Sequence, residues 1–170
     1  LEDRPHESIS NDGLRIRKCV NPDGAIPLLH GMAVGGGSLS FDYETNMLKP
    51  DHENSRIVCC AFSDGVSSVS FPWHGPVKEK VREILHNPNI KKIGWGSKFE
   101  ERWTFKEFGR GVQGWIFDGM LAAHTLDSRR GTKSLKFQAY ARLGVESYND
   151  HIEEYLQAKG GNSPNQISVL

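Results

Sequence analysis

Apolar strand-like runs and amphipathic helical runs follow one another through most of this 170-residue chain, an order that predicts an α/β fold with a mixed five-stranded sheet flanked by helices. Three observations carry that expectation. Runs rich in branched and aromatic residues recur at 38–43, 56–62 and 66–71, and a turn signal, Asp64-Gly65, joins the last two as a meander. Further on, two short apolar runs are each preceded by a segment with helical spacing. Past residue 118 the pattern is helical only.

The elements follow in order. Residues 1–13, "LEDRPHESISNDG", are polar and aperiodic, a tail or linker. "LRIRKCV" (14–20) alternates apolar and basic residues and suits a half-exposed strand. In "NPDGAIPLLHGM", Asn21 can cap and Pro22 can open a short helix, although Gly24 and Pro27 weaken it. "GGG" at 35–37 punctuates before "SLSFDYET". "GPVKEKVREILHN" places Val77, Val81, Ile84 and Leu85 on one helical face. "NIKKIGW" is the fourth strand, "SKFEERWTFKEFG" a helix ended by Gly109, and "VQGWIFD" the fifth strand. "GMLAAHTL" reads as a buried helix capped by Asp118, "TKSLKFQAYARLG" as a helix closed by Gly144, and "YNDHIEEYLQAKGG" as the last one. One domain is expected over 14–156, with 157–170 a loop or linker.

Composition excludes several function classes. Twenty-one basic residues balance 21 acidic ones, so no global charge calls for nucleic acid or an anionic membrane. Any nucleic-acid site must be a local groove. Cys19, Cys59 and Cys60 lack the spacing of a zinc site or disulfide framework, and reduced core thiols in a cytoplasmic setting fit them better. No apolar run has membrane length.

Two charges stand out. Asp42 and Glu44 lie two apart within a strand, so both side chains project from one face while Leu39, Phe41 and Tyr43 occupy the other. Like charges that close repel, and half-burying them adds a desolvation cost. A hard divalent cation relieves both, since Mg²⁺ or Mn²⁺ takes one or two carboxylates plus substrate phosphate. The same pentapeptide also fits a strand end with two solvated carboxylates.

Five strings in order extend the pattern: "LSFDYETNMLKP", "IVCCAFSDG", "IKKIGWGSKFEERW", "GWIFDGMLAAHTLD" and "SLKFQAYARLGV". Together they resemble the 3′–5′ exonuclease domain of family A DNA polymerases, particularly phage-type ones, within the DEDD exonucleases of ribonuclease H-like fold. The resemblance covers roughly residues 14–156. It implies that "FDYET" is the first exonuclease motif, with Asp42 bridging two Mg²⁺ or Mn²⁺ ions and Glu44 holding the one that carries the attacking water. The second motif, Asn-x-Lys-Phe/Tyr-Asp, aligns with "GSKFE": Lys98 and Phe99 match, while Gly96 and Glu100 stand where Asn and Asp are usual. Glu100 becomes the third catalytic and metal-binding carboxylate, with Glu101 second in rank. Gly96 lacks an amide that would position substrate. "FDGM" matches a pattern in which Asp118 caps a helix, and His124 is expected to be packed or hydrogen-bonded rather than catalytic.

Thr45, Lys98, Phe99, Trp95 and Trp103 are the expected nucleic-acid contacts. The implied partners are a single-stranded DNA 3′ end and a polymerase domain of the same parent chain, without a membrane, in a bacterial or phage-infected cell. A third motif, Tyr-x-x-x-Asp or His-x-x-x-x-Asp, has no match: Tyr43, Tyr140, Tyr148 and Tyr155 precede Met47, Gly144, Ile152 and Lys159 by four. A C-terminally truncated fragment, weakly active or inactive alone, accounts for that. Three other readings stay open: an impaired module that binds 3′ ends or organises a polymerase, an RNA-processing DEDD nuclease, and a metal-free α/β domain.

Overall fold

The computed structural model describes residues 15–18, 21–146, 150 and 153–167; the 1–13 tail, Cys19 and Tyr148 lie outside the described residues. Its elements are β1 (Arg15–Lys18), α1 (Pro22–Val34), β2 (Ser38–Thr45), β3 (Ile57–Ser63), β4 (Ser67–Pro72), α2 (Val77–His86), β5 (Lys91–Gly94), α3 (Lys98–Phe108), β6 (Trp115–Asp118), α4 (Gly119–Leu126), α5 (Leu135–Leu143) and α6 (Glu153–Leu156). The mixed sheet runs β1-β4-β3-β2-β5-β6. The sheet has six strands rather than five, because the strand read at 14–20 joins it as β1, pairing parallel to β4. The pairs β2–β3 and β3–β4 are antiparallel, whereas β2–β5 and β5–β6 are parallel.

Local chemistry sets the boundaries. The Asn21 side chain accepts from the Asp23 amide at 3.0 Å, so α1 starts at Pro22 and continues through Pro27 to a full 13 residues. Asp64 Oδ1 accepts from the amides of Val66 (2.9 Å) and Ser67 (2.7 Å), closing the β3–β4 turn. Gly109 ends α3 at φ 69°, a left-handed conformation that glycine adopts without a Cβ clash.

The core lies on one face of the sheet. Leu39, Phe41 and Tyr43 of β2 meet Cys60 and Phe62 of β3 and Val69 and Phe71 of β4, under Ala25 and Leu29 of α1 and all four apolar residues of the α2 stripe. Phe62 stacks on Phe41 at 5.3 Å and on Phe71 at 6.5 Å. Alternation sends Ser38, Ser40, Asp42 and Glu44 to the opposite face, beside Cys59, Ala61 and Ser63 of β3. That face is polar and small, and the carboxylates stand on it.

One expectation fails. α4 is not a buried helix: Leu121 is 66% and Leu126 74% exposed, and only Gly119 and Ala123 are buried. Its composition is mostly apolar, but it packs through a single small-residue edge, Gly119 and Ala123. Phe62→Ala empties the centre of the aromatic stack and is expected to cost about 3–5 kcal/mol in urea unfolding, whereas the exposed Leu121→Ala changes stability by less than about 1 kcal/mol.

Candidate active site

β2 and α3 build the site. Asp42 pairs with Ala61 and Glu44 with Cys59 across the antiparallel ladder, so both carboxylates rise from the polar face above small neighbours. Glu100 comes from the first turns of α3 and is 97% enclosed, at 3% exposure. Its carboxyl is hydrogen-bonded to that of Asp42, which places the residue from the second string against the residue from the first.

Three anchors deliver Glu100 there. Asp118 accepts five hydrogen bonds: at Oδ1 from the amides of Gly96, Met120 and Leu121, and at Oδ2 from the amide and hydroxyl of Ser97. Partial burial would raise its pKa, but those bonds outweigh it and hold the carboxylate below its usual range. Asp118 thus ties the entry of α3 to the start of α4, as its capping role requires. Next, Glu101 Oε2 accepts from the Val112 amide and the Trp115 indole, both at 3.0 Å. Glu101 is thus committed to Val112 and Trp115, while Glu100 is the neighbour of Asp42. Last, the Tyr43 and Thr104 hydroxyls meet at 3.2 Å, fastening the next turn of α3 to β2.

The electrostatics record the crowding. Burial pushes Glu100 up to about 8, helped by the nearby charge and hydrogen bond of Asp42. Asp42 keeps an open side to solvent, yet the protein around it raises its pKa, opposed by the bond to Glu100. Both carboxyls of the pair are thus pushed towards their protonated forms. Glu44 is lifted to about 7, first by burial and then by Asp42. Burial and the same two carboxylates drive the Cys59 thiol to about 11, which removes it as a nucleophile at neutral pH.

This donor set suits a hard cation. Glu100 Oε2 is buried without a hydrogen-bond partner, in a carboxyl that neighbours Asp42 and feels the charge of Asp118. Among the described residues no three His, Cys, Asp or Glu side chains converge tightly enough to chelate an ion by themselves. Magnesium needs fewer, because one or two carboxylates plus substrate phosphates complete its shell.

The nucleic-acid candidates divide. A cleft of about 770 Å³ opens along α3, lined by Leu48, Pro50, Lys98, Phe99, Trp115 and Met120 among others, with Asp42, Glu44 and Glu100 outside its lining. Lys98 stands exposed at its rim and Phe99 half-buried in its wall. Trp103 underlies it but is 1% exposed, so it belongs to the core and has no free face for a base. Trp95 is engaged too: its indole donates to the Lys133 carbonyl at 3.2 Å and its ring covers Gly119. Thr45 is buried, its hydroxyl given to the Met47 carbonyl at 2.7 Å. His124 is neither packed nor buried; it is exposed on the last turn of α4. Leu48 and Met120 escaped the sequence reading, because nothing in their local pattern distinguishes a cleft wall from a core.

Gly96 has a physical explanation. Its φ of +77° lies in the left-handed region, which glycine and asparagine both tolerate, and a Cβ there would come within 2.8 Å of the Met120 methyl. Any side chain larger than hydrogen at this position therefore needs Met120 to move.

A family model described as 3′–5′ exonuclease matches residues 25–164. The chain belongs to that family. Its members include the exonuclease domain of family A DNA polymerases, of DEDD type and ribonuclease H-like fold. Among solved structures, Escherichia coli RNase D, an exoribonuclease involved in structured RNA processing, is 15% identical with a TM-score of 0.64, over 85% of this chain and 38% of that one. The POL domain of Mycobacterium smegmatis Pol1, in complex with DNA primer-template and dNTP, is 14% identical with a TM-score of 0.63, over 81% and 24%. Brucella melitensis NrnC with bound Mg²⁺ is 17% identical with a TM-score of 0.55, over 81% and 64%. The chain thus spans well under half of RNase D and Pol1. Comparison with curated protein sequences gives no match.

The shifted carboxyls predict a pH dependence for the metal-free protein. Glu44 and Glu100 keep protons in the folded state up to about 7 and 8, while unfolded carboxyls lose theirs near 4.5. Between those values the folded state binds more protons, so stability falls as pH rises through the window. Thermal unfolding in chelator is expected to drop by at least about 5 °C from pH 5 to pH 8.5, and Glu100→Gln is expected to flatten that slope.

Proposed function

We propose that this protein hydrolyses the terminal phosphodiester at the 3′ end of single-stranded DNA, releasing 5′ nucleoside monophosphates, as the proofreading domain of a DNA polymerase. The observation that carries the reading is the buried Glu100 carboxyl, one oxygen of it unpartnered, next to Asp42 on the strand that also bears Glu44, in a chain of the 3′–5′ exonuclease family.

Asp42, Glu44 and Glu100 would hold two divalent ions, Mg²⁺ or Mn²⁺. Bound there, such ions supply Lewis acidity for attack of water on phosphorus and for departure of the 3′ oxygen. The protein's own groups do the rest. Their raised pKa values make the empty site a poor place for three charges, so proton loss is coupled to ion binding. Lys98 offers a cation to a backbone phosphate at the cleft rim, while Phe99 and Leu48 offer apolar wall to a base. A mispaired end frays into such a cleft more readily than a paired one, because less pairing energy is lost. The partner is a polymerase domain of the same parent chain, and the setting cytoplasmic; no helix among the described residues is long and apolar enough to cross a membrane. The likeness to RNase D supports a second reading, trimming of RNA 3′ ends by the same carboxylates.

With 5′-labelled single strands and Mg²⁺ or Mn²⁺, the wild-type protein is expected to produce a one-nucleotide ladder from the 3′ end. Asp42→Ala should reduce it at least about 100-fold. DNA should be degraded about tenfold faster than matched RNA. The opposite preference moves the reading to RNA, and cleavage undiminished in Asp42→Ala removes the carboxylate site altogether.

A further inference from the structure

We propose that Asn165 is a positioning residue for Glu44. The inference rests on the metal-binding reading of the carboxylates and concerns how one of them is aimed.

Glu44 sits at an irregularity in the sheet. It pairs with Cys59, but the next residue, Thr45, pairs with Ile57, so Val58 has no partner on β2. A bulge of this kind bends the strands and redirects neighbouring side chains, and it leaves the chain beyond it outside the regular ladder. The two carbonyls that follow Glu44 therefore need partners from elsewhere. Both find them in one residue: Asn165 donates its side-chain amide to the Thr45 carbonyl at 3.0 Å and its backbone amide to the Asn46 carbonyl at 2.8 Å. Its Oδ1 accepts from the Ile167 amide at 3.3 Å, which fixes the side-chain rotamer, and Ile167 is itself buried.

A second asparagine holds the far end of the same loop. Asn162 Oδ1 accepts from the Lys49 amide at 2.7 Å. The segment 162–167 is thus a strap across residues 45–49, more than 110 positions away in sequence. From the opposite side, Asn46 Oδ1 accepts from the Arg56 amide at 2.7 Å, and its Nδ2 donates to the Asn54 carbonyl at 2.9 Å. Thr45, Asn46 and Met47 are all buried between these two supports. The Asn165 bonds hold the Thr45–Asn46 and Asn46–Met47 peptides, the second and third after the Cα of Glu44, so losing them frees the end of β2 from which Glu44 projects.

Asn165→Asp tests this directly, since it keeps the shape and the acceptor for Ile167 but replaces the donor at Thr45 with an oxygen. Asn165→Ala removes the amide without adding charge and must act in the same direction. Two readouts are needed: hydrogen exchange of amides 44–49, and Mn²⁺ affinity measured by electron paramagnetic resonance. We expect exchange about tenfold faster and Mn²⁺ bound at least about fivefold more weakly, with the melting temperature nearly unchanged. Asn162→Ala, at the end remote from Glu44, should weaken Mn²⁺ binding by less than about twofold. Faster exchange with unchanged Mn²⁺ affinity would mean a purely structural clasp and overturns the proposal, as does no change in either. A wild-type protein that binds no Mn²⁺ overturns the carboxylate reading itself and the positioning role with it.

Discussion

Three carboxyls do not gather on one surface of their own accord, and keeping them there is the constraint to which the surrounding structure answers. Burial costs them hydration, and proximity costs them repulsion. Burial raises the pKa of Asp42, Glu44 and Glu100 alike, and the charge of Asp42 raises Glu44 and Glu100 further. The opposing force is ordinary packing. β2 is held by its aromatic face, where Phe41 stacks on Phe62 at 5.3 Å and on Trp115 at 5.4 Å. The helix that brings Glu100 is held by Trp103, the Asp118 clamp and the Glu101 bonds to Val112 and Trp115. Removing the repulsion would stabilise the fold, so the site is a strain that the core sustains.

Division of labour between adjacent residues follows from periodicity. On β2, Tyr43 goes into the core and its neighbours Asp42 and Glu44 come out. On α3, Glu100 turns to Asp42 while Glu101, one step of about 100° further round, turns to Trp115. Two carboxylates side by side in sequence thereby have opposite employments, one ionisable and poised, the other a fixed acceptor.

Much of this was legible in the sequence. The alternation of β2, the apolar stripe of α2, the caps at Asn21 and Asp118 and the shared face of Asp42 and Glu44 are all short-range patterns, and short-range patterns are written locally. The order of motif-like strings singled out Glu100, which the fold brings next to Asp42. What escaped the reading depends on distance. The burial of Trp103 and the engagement of the Trp95 indole by Lys133 arise from neighbours that only the fold supplies. The exposure of α4 shows that an apolar composition says nothing about what covers a helix. "NSPNQ" looks like linker composition, yet Asn162 and Asn165 reach back to Lys49 and Thr45. Gly96 reads as a loss until its φ of +77° is known.

The carboxylate cluster is the centre of the account, and locating an ion in it is the most direct test. Crystals of the protein soaked in Mn²⁺ and measured at the manganese absorption edge should show anomalous density between Asp42, Glu44 and Glu100, with the Asp42–Glu100 hydrogen bond opened to admit it. Density elsewhere, or none with that carboxyl pair still closed at saturating Mn²⁺ and pH 8, would contradict it.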